Sequence, residues 1–272
     1  MAAMEFFKDR KIECRSYLWH REIVEAVSMG AVQYGVVAIE NAIDGIVNET
    51  VRAIDDYVGY GAVRICGEIA IPIEHFLLGS ADSMDEVDSV YSHDTALRQC
   101  QGYINGLEKK VNITSCSSTS DAAKKAKEVG VTIAAIAPEA AAKFYGLKKL
   151  ESKPIADSNM NITRFWILGR EFPPKTEKDK TCIFLNLDRN KAGVLYRSLG
   201  FFADENISLA IIYPIPILSR DWEYTFLVEL QAHIDDPRMN IAYKKLKESG
   251  LTLGNTPVLG SYHDNTTGRK ST

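Results

Sequence analysis

The run Gly35-Val-Val-Ala-Ile39, followed at once by Glu40-Asn41, limits the fold more than any other stretch of the chain. Val36 to Ile39 are apolar without polar alternation, which is how a strand covered on both faces of a mostly parallel sheet reads. An α/β architecture is therefore expected. In open α/β sheets ligands bind beyond the carboxyl ends of the strands, and Glu40 and Asn41 stand at such an end. They lie too early to cap the next helix, which is expected to be capped at Asn48 and to carry Val51, Ile54, Tyr57 and Val58 on its apolar face. The pair reads either as ligand-facing or as a polar turn.

From His20 to Leu168 helical and strand patterns alternate, which supports the α/β reading. AVRICGEIAIPIEHFLLG, from Ala62 to Gly79, predicts two strands on either side of Pro72. SVYSH, VNITSCSS and VTIAAIAP predict short strands. One helical face holds Ala96, Cys100, Tyr103, Ile104 and Leu107, and another holds Ala122, Ala123 and Ala126. PEAAAKFYGL opens on Pro138 and stops at Gly146, and NITRFWILGRE predicts a last strong strand. The charged, Pro-containing REFPPKTEKDK reads as a linker. Beyond it the predicted order is strand, helix, strand, strand, helix, strand, the ferredoxin-like βαββαβ plan.

Composition narrows the function classes. With 272 residues, 46% hydrophobic and 25% charged, the chain suits a globular protein of about two domains. A net charge of -4 with scattered basic residues argues against nucleic acid or an anionic membrane as partner. No window approaches the ~20 apolar residues of a membrane span. The start MAAMEFFKDRKIE lacks the apolar core of a signal peptide, so a cytoplasmic location is expected. Cys14, Cys66, Cys100, Cys116 and Cys182 are far apart and mostly within apolar segments, which predicts buried thiols rather than disulfides or metal ligands. No metal or organic cofactor is expected.

Three polar clusters fall at strand ends: Glu40-Asn41, Ser92 with Gln99, and Asn161 with Thr163 and Arg164. Each has an ordinary structural reading. Ser92 can cap the helix near Thr95, Gln99 can be solvated, and Arg164 can be salt-bridged. Taken in order, however, "GVVAIENAIDGIVNET", "YSHDTALRQC" and "NMNITRF" resemble the motifs of the prephenate dehydratase family, over nearly the whole chain. "KAGVLYRSLGFFADENISL" and "DWEYTFLVEL" resemble the ACT regulatory domain that this family carries.

The resemblance implies a two-lobed, type II periplasmic-binding-protein-like domain at 1–172, with lobe one at about 1–73 and 160–172 and lobe two at about 74–159. A linker at 173–180 and an ACT domain at 181–264 would follow. The implied reaction converts prephenate to phenylpyruvate in phenylalanine biosynthesis, with the three clusters converging on a cleft. Thr163 would be the donor to the departing hydroxyl. Glu40 and Asn41 would complete the catalytic set, Glu40 as a proton source or as an orienting anion. Asn41, Ser92, Gln99 and Asn161 would bind substrate, while Arg164, beside Thr163 in a strand, would point to the opposite face.

The family's opening strand and Gly-Pro-x-Gly-Thr loop have no counterpart in MEFFKDRKIE, so the expectation is either that they lie upstream or that the site lacks them. An effector site is implied at Gly193, Val194, Leu195 and Tyr213 between paired ACT domains. The family's Glu-Ser-Arg-Pro segment is replaced by Tyr213, Pro214, Ile215 and Pro216, so phenylalanine binding is expected to be weak or lost. A homodimer or homotetramer is expected. The competing readings are a non-catalytic ligand-binding protein of the same fold and an arogenate dehydratase.

Overall fold

A computed structural model describes residues 1–58, 62–158, 160–188, 190–217 and 224–265. The lobe boundary expected at 159 and the start of DWEYTFLVEL, 221–223, lie outside the described residues. The first third of the chain forms α1 (Ala2–Phe6), α2 (His20–Ser28), β1 (Gly35–Asn41), β2 (Gly45–Ile46), α3 (Asn48–Val58) and β3 (Arg64–Pro72). There follow β4 (Phe76–Gly79), β5 (Ser89–Ser92), α4 (Asp94–Gln99), α5 (Gln101–Asn105), β6 (Asn112–Ser115), α6 (Thr119–Val129), β7 (Ile133–Ala137), α7 (Glu139–Tyr145) and β8 (Lys148–Lys149). The remainder forms β9 (Ile162–Gly169), β10 (Asp179–Asn186), α8 (Val194–Asp204), β11 (Leu209–Pro216), β12 (Tyr224–Leu230), α9 (Pro237–Glu248) and β13 (Val258–His263). The chain divides into two compact units, Pro72–Thr163 and Ala2–Ile71 with the chain from Arg164 onward. Among the described residues no helix is long and apolar enough to cross a membrane.

The Pro72–Thr163 unit is built on a five-stranded sheet in the order β6-β5-β7-β4-β8. β5 runs parallel to β6 and β7, and β4 runs antiparallel to β7 and β8. All five residues of β7 are buried, as an IAAIA run between two covered faces requires. Ala122, Ala123 and Ala126 of α6 are all fully buried, and their small side chains let the helix approach the sheet closely. The single helix predicted across Ala96–Leu107 is instead split between α4 and α5 at Cys100. There the carboxylate of Asp157, 55 residues away in the chain, accepts the Gly102 amide at 3.1 and 3.0 Å and draws it out of the helical pattern. A Cβ at position 102 would lie 2.8 Å from that carboxylate, so only glycine permits this capture.

The other unit is built on an eight-stranded sheet in the order β11-β12-β10-β13-β3-β9-β1-β2. Its first four strands are antiparallel neighbours and, with α8 and α9, complete the ferredoxin-like plan. That plan does not stand apart from the rest. β13 pairs in parallel with β3, Gly260 opposite Ile65, and a Cβ on Gly260 would meet the Ile65 carbonyl oxygen at 2.3 Å. Glycine at this point allows the two backbones to join one sheet. β10 already begins at Asp179, so the last two residues of the predicted linker belong to a strand, and Lys180 is buried.

Along β12 the side chains alternate between two cores. Phe226, Val228 and Leu230 pack with α8 and α9, while Leu227 joins Val51 and Ile54 of α3 and Trp166 and Leu168 of β9. That face of the sheet is thus covered within the chain. α3 begins at Asn48 but is not capped by it. The Thr50 and Val51 amides donate to the Val47 carbonyl, and the Asn48 side-chain oxygen accepts the Tyr213 hydroxyl at 3.4 Å.

Candidate functional site

In the Pro72–Thr163 unit an uncharged cluster forms around Gln99, the last residue of α4. The Gln99 side-chain carbonyl accepts two hydrogen bonds, from His75 Nε2 at 3.0 Å and from Asn161 Nδ2 at 2.8 Å. Two donors on one carbonyl fix the plane of the amide and present its NH2 group in a set direction. Asn161 is itself held, because its backbone carbonyl accepts the Ile73 amide at 2.7 Å. His75 is 4% exposed, and its Nδ1 is buried without a partner among the described residues. Burial lowers its pKa from the ordinary 6.5, against the opposing pull of the Gln99 hydrogen bond, so the ring is neutral and carries its proton on Nε2. His75 carried no motif of its own in the sequence. The only hint was its place just after Pro72, where two strands were expected to meet.

Two of the predicted substrate ligands have other employment. Ser92 is fully buried at the end of β5 and donates its hydroxyl proton to the Ile136 carbonyl at 2.6 Å, so it ties two strands together. Neither does it cap α4, since the His93 side chain accepts the Thr95 amide there. Asn161 is 2% exposed and acts on Gln99. Its side chain thus holds the Gln99 amide in place.

The other unit carries an ionic cluster around Arg164. Thr163 and Arg164 alternate along β9, Thr163 half-buried and Arg164 6% exposed on the opposite strand face, as the period of a strand requires. Arg164 Nε donates to Glu40 Oε2 at 3.1 Å. Its Nη1 donates to Glu68 Oε2 at 2.9 Å and to both oxygens of Glu229, at 2.8 and 2.9 Å. Lys180 binds the other Glu68 oxygen at 2.8 Å and Asp264 at 3.0 Å. Burial pushes the Glu68 carboxyl up and the two cations oppose it, while the surrounding carboxylates hold the guanidinium firmly protonated. Asn41, next to Glu40, has a side-chain carbonyl that accepts the amides of Ile43 and Asp44 at 2.9 and 3.1 Å and so fixes the turn into β2.

The predicted effector residues part company within one chain. Gly193 has φ +68° and is the N-cap of α8, with Val194 and Leu195 packed against the helix-side core. Tyr213 packs against the opposite core and reaches Asn48. Among the described residues no three His, Cys, Asp or Glu side chains are gathered as a metal site.

The sheets and these strand-end clusters define a mixed α/β protein of the periplasmic-binding-protein-like class, joined to a ferredoxin-like sheet. The sequence model of the family described as prephenate dehydratase matches residues 1–173, and the chain belongs to that family. A bifunctional chorismate mutase/prephenate dehydratase of Stutzerimonas stutzeri is 38% identical over 242 residues, 89% of this chain and 64% of that protein. A prephenate dehydratase of Lactococcus lactis subsp. cremoris is 30% identical over 254 residues, 92% of this chain and 88% of that protein. The crystal structure of an Arthrobacter aurescens prephenate dehydratase in complex with L-Phe superposes with a TM-score of 0.79 at 26% identity, covering 93% of this chain and 81% of that one. The chain thus spans less than two thirds of the bifunctional relative's length.

Proposed function

We propose that this protein is a prephenate dehydratase acting in phenylalanine biosynthesis. In the reaction the bond from the ring to its carboxylate breaks, carbon dioxide leaves, and the electron pair enters the ring. The ring carbon–hydroxyl bond breaks at the same time, and the departing oxygen takes up one proton to leave as water. Aromatisation of the product, phenylpyruvate, drives the reaction. A hydroxyl is a poor leaving group unless a donor assists it, and Thr163 fills that role as the last link of a proton path, its own pKa being too high for a free acid. The observation that carries the reading is the Thr163–Arg164 alternation on β9, which leaves the threonine half-exposed while the arginine is buried against Glu40.

Of the two roles open to Glu40, the ion pair with Arg164 favours the orienting anion. The amide groups of Gln99 and Asn41 are the donors for the substrate's carboxylates and hydroxyl. The five free cysteines agree with a reducing, cytoplasmic setting. Self-association at the β11 edge is expected, where Leu209 and Ile212 are exposed. The ferredoxin-like segment is read as an ACT domain whose phenylalanine affinity is weak. The deciding experiment incubates purified protein with prephenate, and separately with arogenate, and follows phenylpyruvate or phenylalanine together with carbon dioxide. Turnover of prephenate supports the proposal. Calorimetric binding without turnover replaces it with a ligand-binding protein.

A further inference from the structure

Three carboxylates surround one guanidinium, and each comes from a different strand: Glu40 from β1, Glu68 from β3 and Glu229 from β12 of the ferredoxin-like segment. Their exposures differ in kind. The Glu68 and Glu229 side chains are 0% exposed and can touch no ligand, whereas Glu40 is 36% exposed. Arg164 therefore has its Nε edge on the carboxylate that reaches solvent and its Nη1 on two that do not. The guanidinium is a rigid plane, so fixing Nη1 fixes the direction in which Nε–H points. Glu229 holds Nη1 through both of its oxygens and is itself braced by the Tyr262 hydroxyl, which donates to Glu229 Oε1 at 3.2 Å. Arg164 Nη2 is buried and has no hydrogen-bond partner among the described residues.

We propose that Glu229 is a positioning residue for the reaction: through Arg164, the ferredoxin-like segment sets where the Glu40 carboxylate sits. The catalytic role of Glu40 is taken from the proposed function above, and the C-terminal segment then contributes to basal turnover apart from any effector.

The test uses the full chain and the variant Glu229→Gln, which keeps the shape and removes the charge. The expected result is a fall in kcat of roughly 10- to 100-fold, the scale of a displaced active-site group, with KM changed by less than about 3-fold. The Arg164 Nε–H resonance, identified by its loss in Arg164→Lys, should shift and exchange faster with solvent. Val228→Ala, on the same strand but the opposite face, is the control for lost stability and should move neither readout. Tyr262→Phe, which removes only the brace, should move both in the same direction by less, and it serves if Glu229→Gln does not fold. Normal kcat and an unmoved Nε–H signal in either folded variant overturn the proposal. If the wild type proves inactive on prephenate, the functional reading fails on that result, while the resonance still decides whether Glu229 sets the geometry at Arg164.

Discussion

The two clusters orient polar groups by opposite means. Around Gln99 every member is neutral, and direction comes from two donors converging on one carbonyl. Around Arg164 charge does the holding, with buried carboxylates on β3 and β12 fixing an arginine that in turn holds Glu40. A neutral cluster is cheap to bury and loses about one hydrogen bond's worth of stability when a member is removed. A buried ionic cluster is costly to assemble and collapses when one partner is deleted, because the remaining charges are stranded. The contrast teaches that the first cluster can vary locally, whereas the second ties a site residue to the stability of the whole eight-stranded sheet.

The largest difference should therefore appear on removing the arginine. Arg164→Met leaves Glu68 and Glu229 facing each other without their shared cation, and should lower unfolding stability by about 3–5 kcal/mol. Chemical denaturation measures it, and a loss under about 1 kcal/mol would show that the ionic cluster is no stronger than the neutral one.

His75→Ala should cost less, about 1–2 kcal/mol, and act mainly on substrate affinity by freeing the Gln99 amide to rotate. His75→Gln, which can restore a donor, should recover part of the affinity. The same residue carries a pH signature. The folded ring takes up a proton less readily than its ordinary pKa of 6.5, so the unfolded chain binds the extra proton as pH falls below that value. The stability associated with neutral His75 is present above about pH 6.5 and is lost as pH drops toward the folded value. His75→Gln should flatten this part of the stability–pH curve, and an unchanged slope would contradict the neutral assignment.

The smallest effect expected is that of phenylalanine. With Tyr213 packed into a core within the chain and no charged side chain in the run Tyr213, Pro214, Ile215, Pro216, millimolar phenylalanine should leave turnover and mass by light scattering unchanged. Micromolar inhibition would show that this segment binds the amino acid after all.

Much of this was legible in the sequence. The unbroken run to Ile39, the ferredoxin-like order and the Thr163–Arg164 alternation all follow from side-chain periodicity, a local property. What escaped depends on partners far along the chain. Gly260 gives no sign that it will lie against Ile65, nor Gly102 that Asp157 will take its amide and break a helix. The Ser92 proton goes to a carbonyl 44 residues away. The buried destination of Arg164 followed from strand alternation, but its acceptors on β3 and β12 did not, because register between distant strands is set by tertiary packing.

The role proposed for Thr163, assisting departure of the substrate's hydroxyl, is measured by the turnover of Thr163→Ala on prephenate alongside its binding by calorimetry. A fall in kcat of ~100-fold or more with affinity within about 3-fold of wild type, partly rescued in Thr163→Ser, is the predicted result. Near-normal turnover of Thr163→Ala would remove the residue from the chemistry and with it this account of the site.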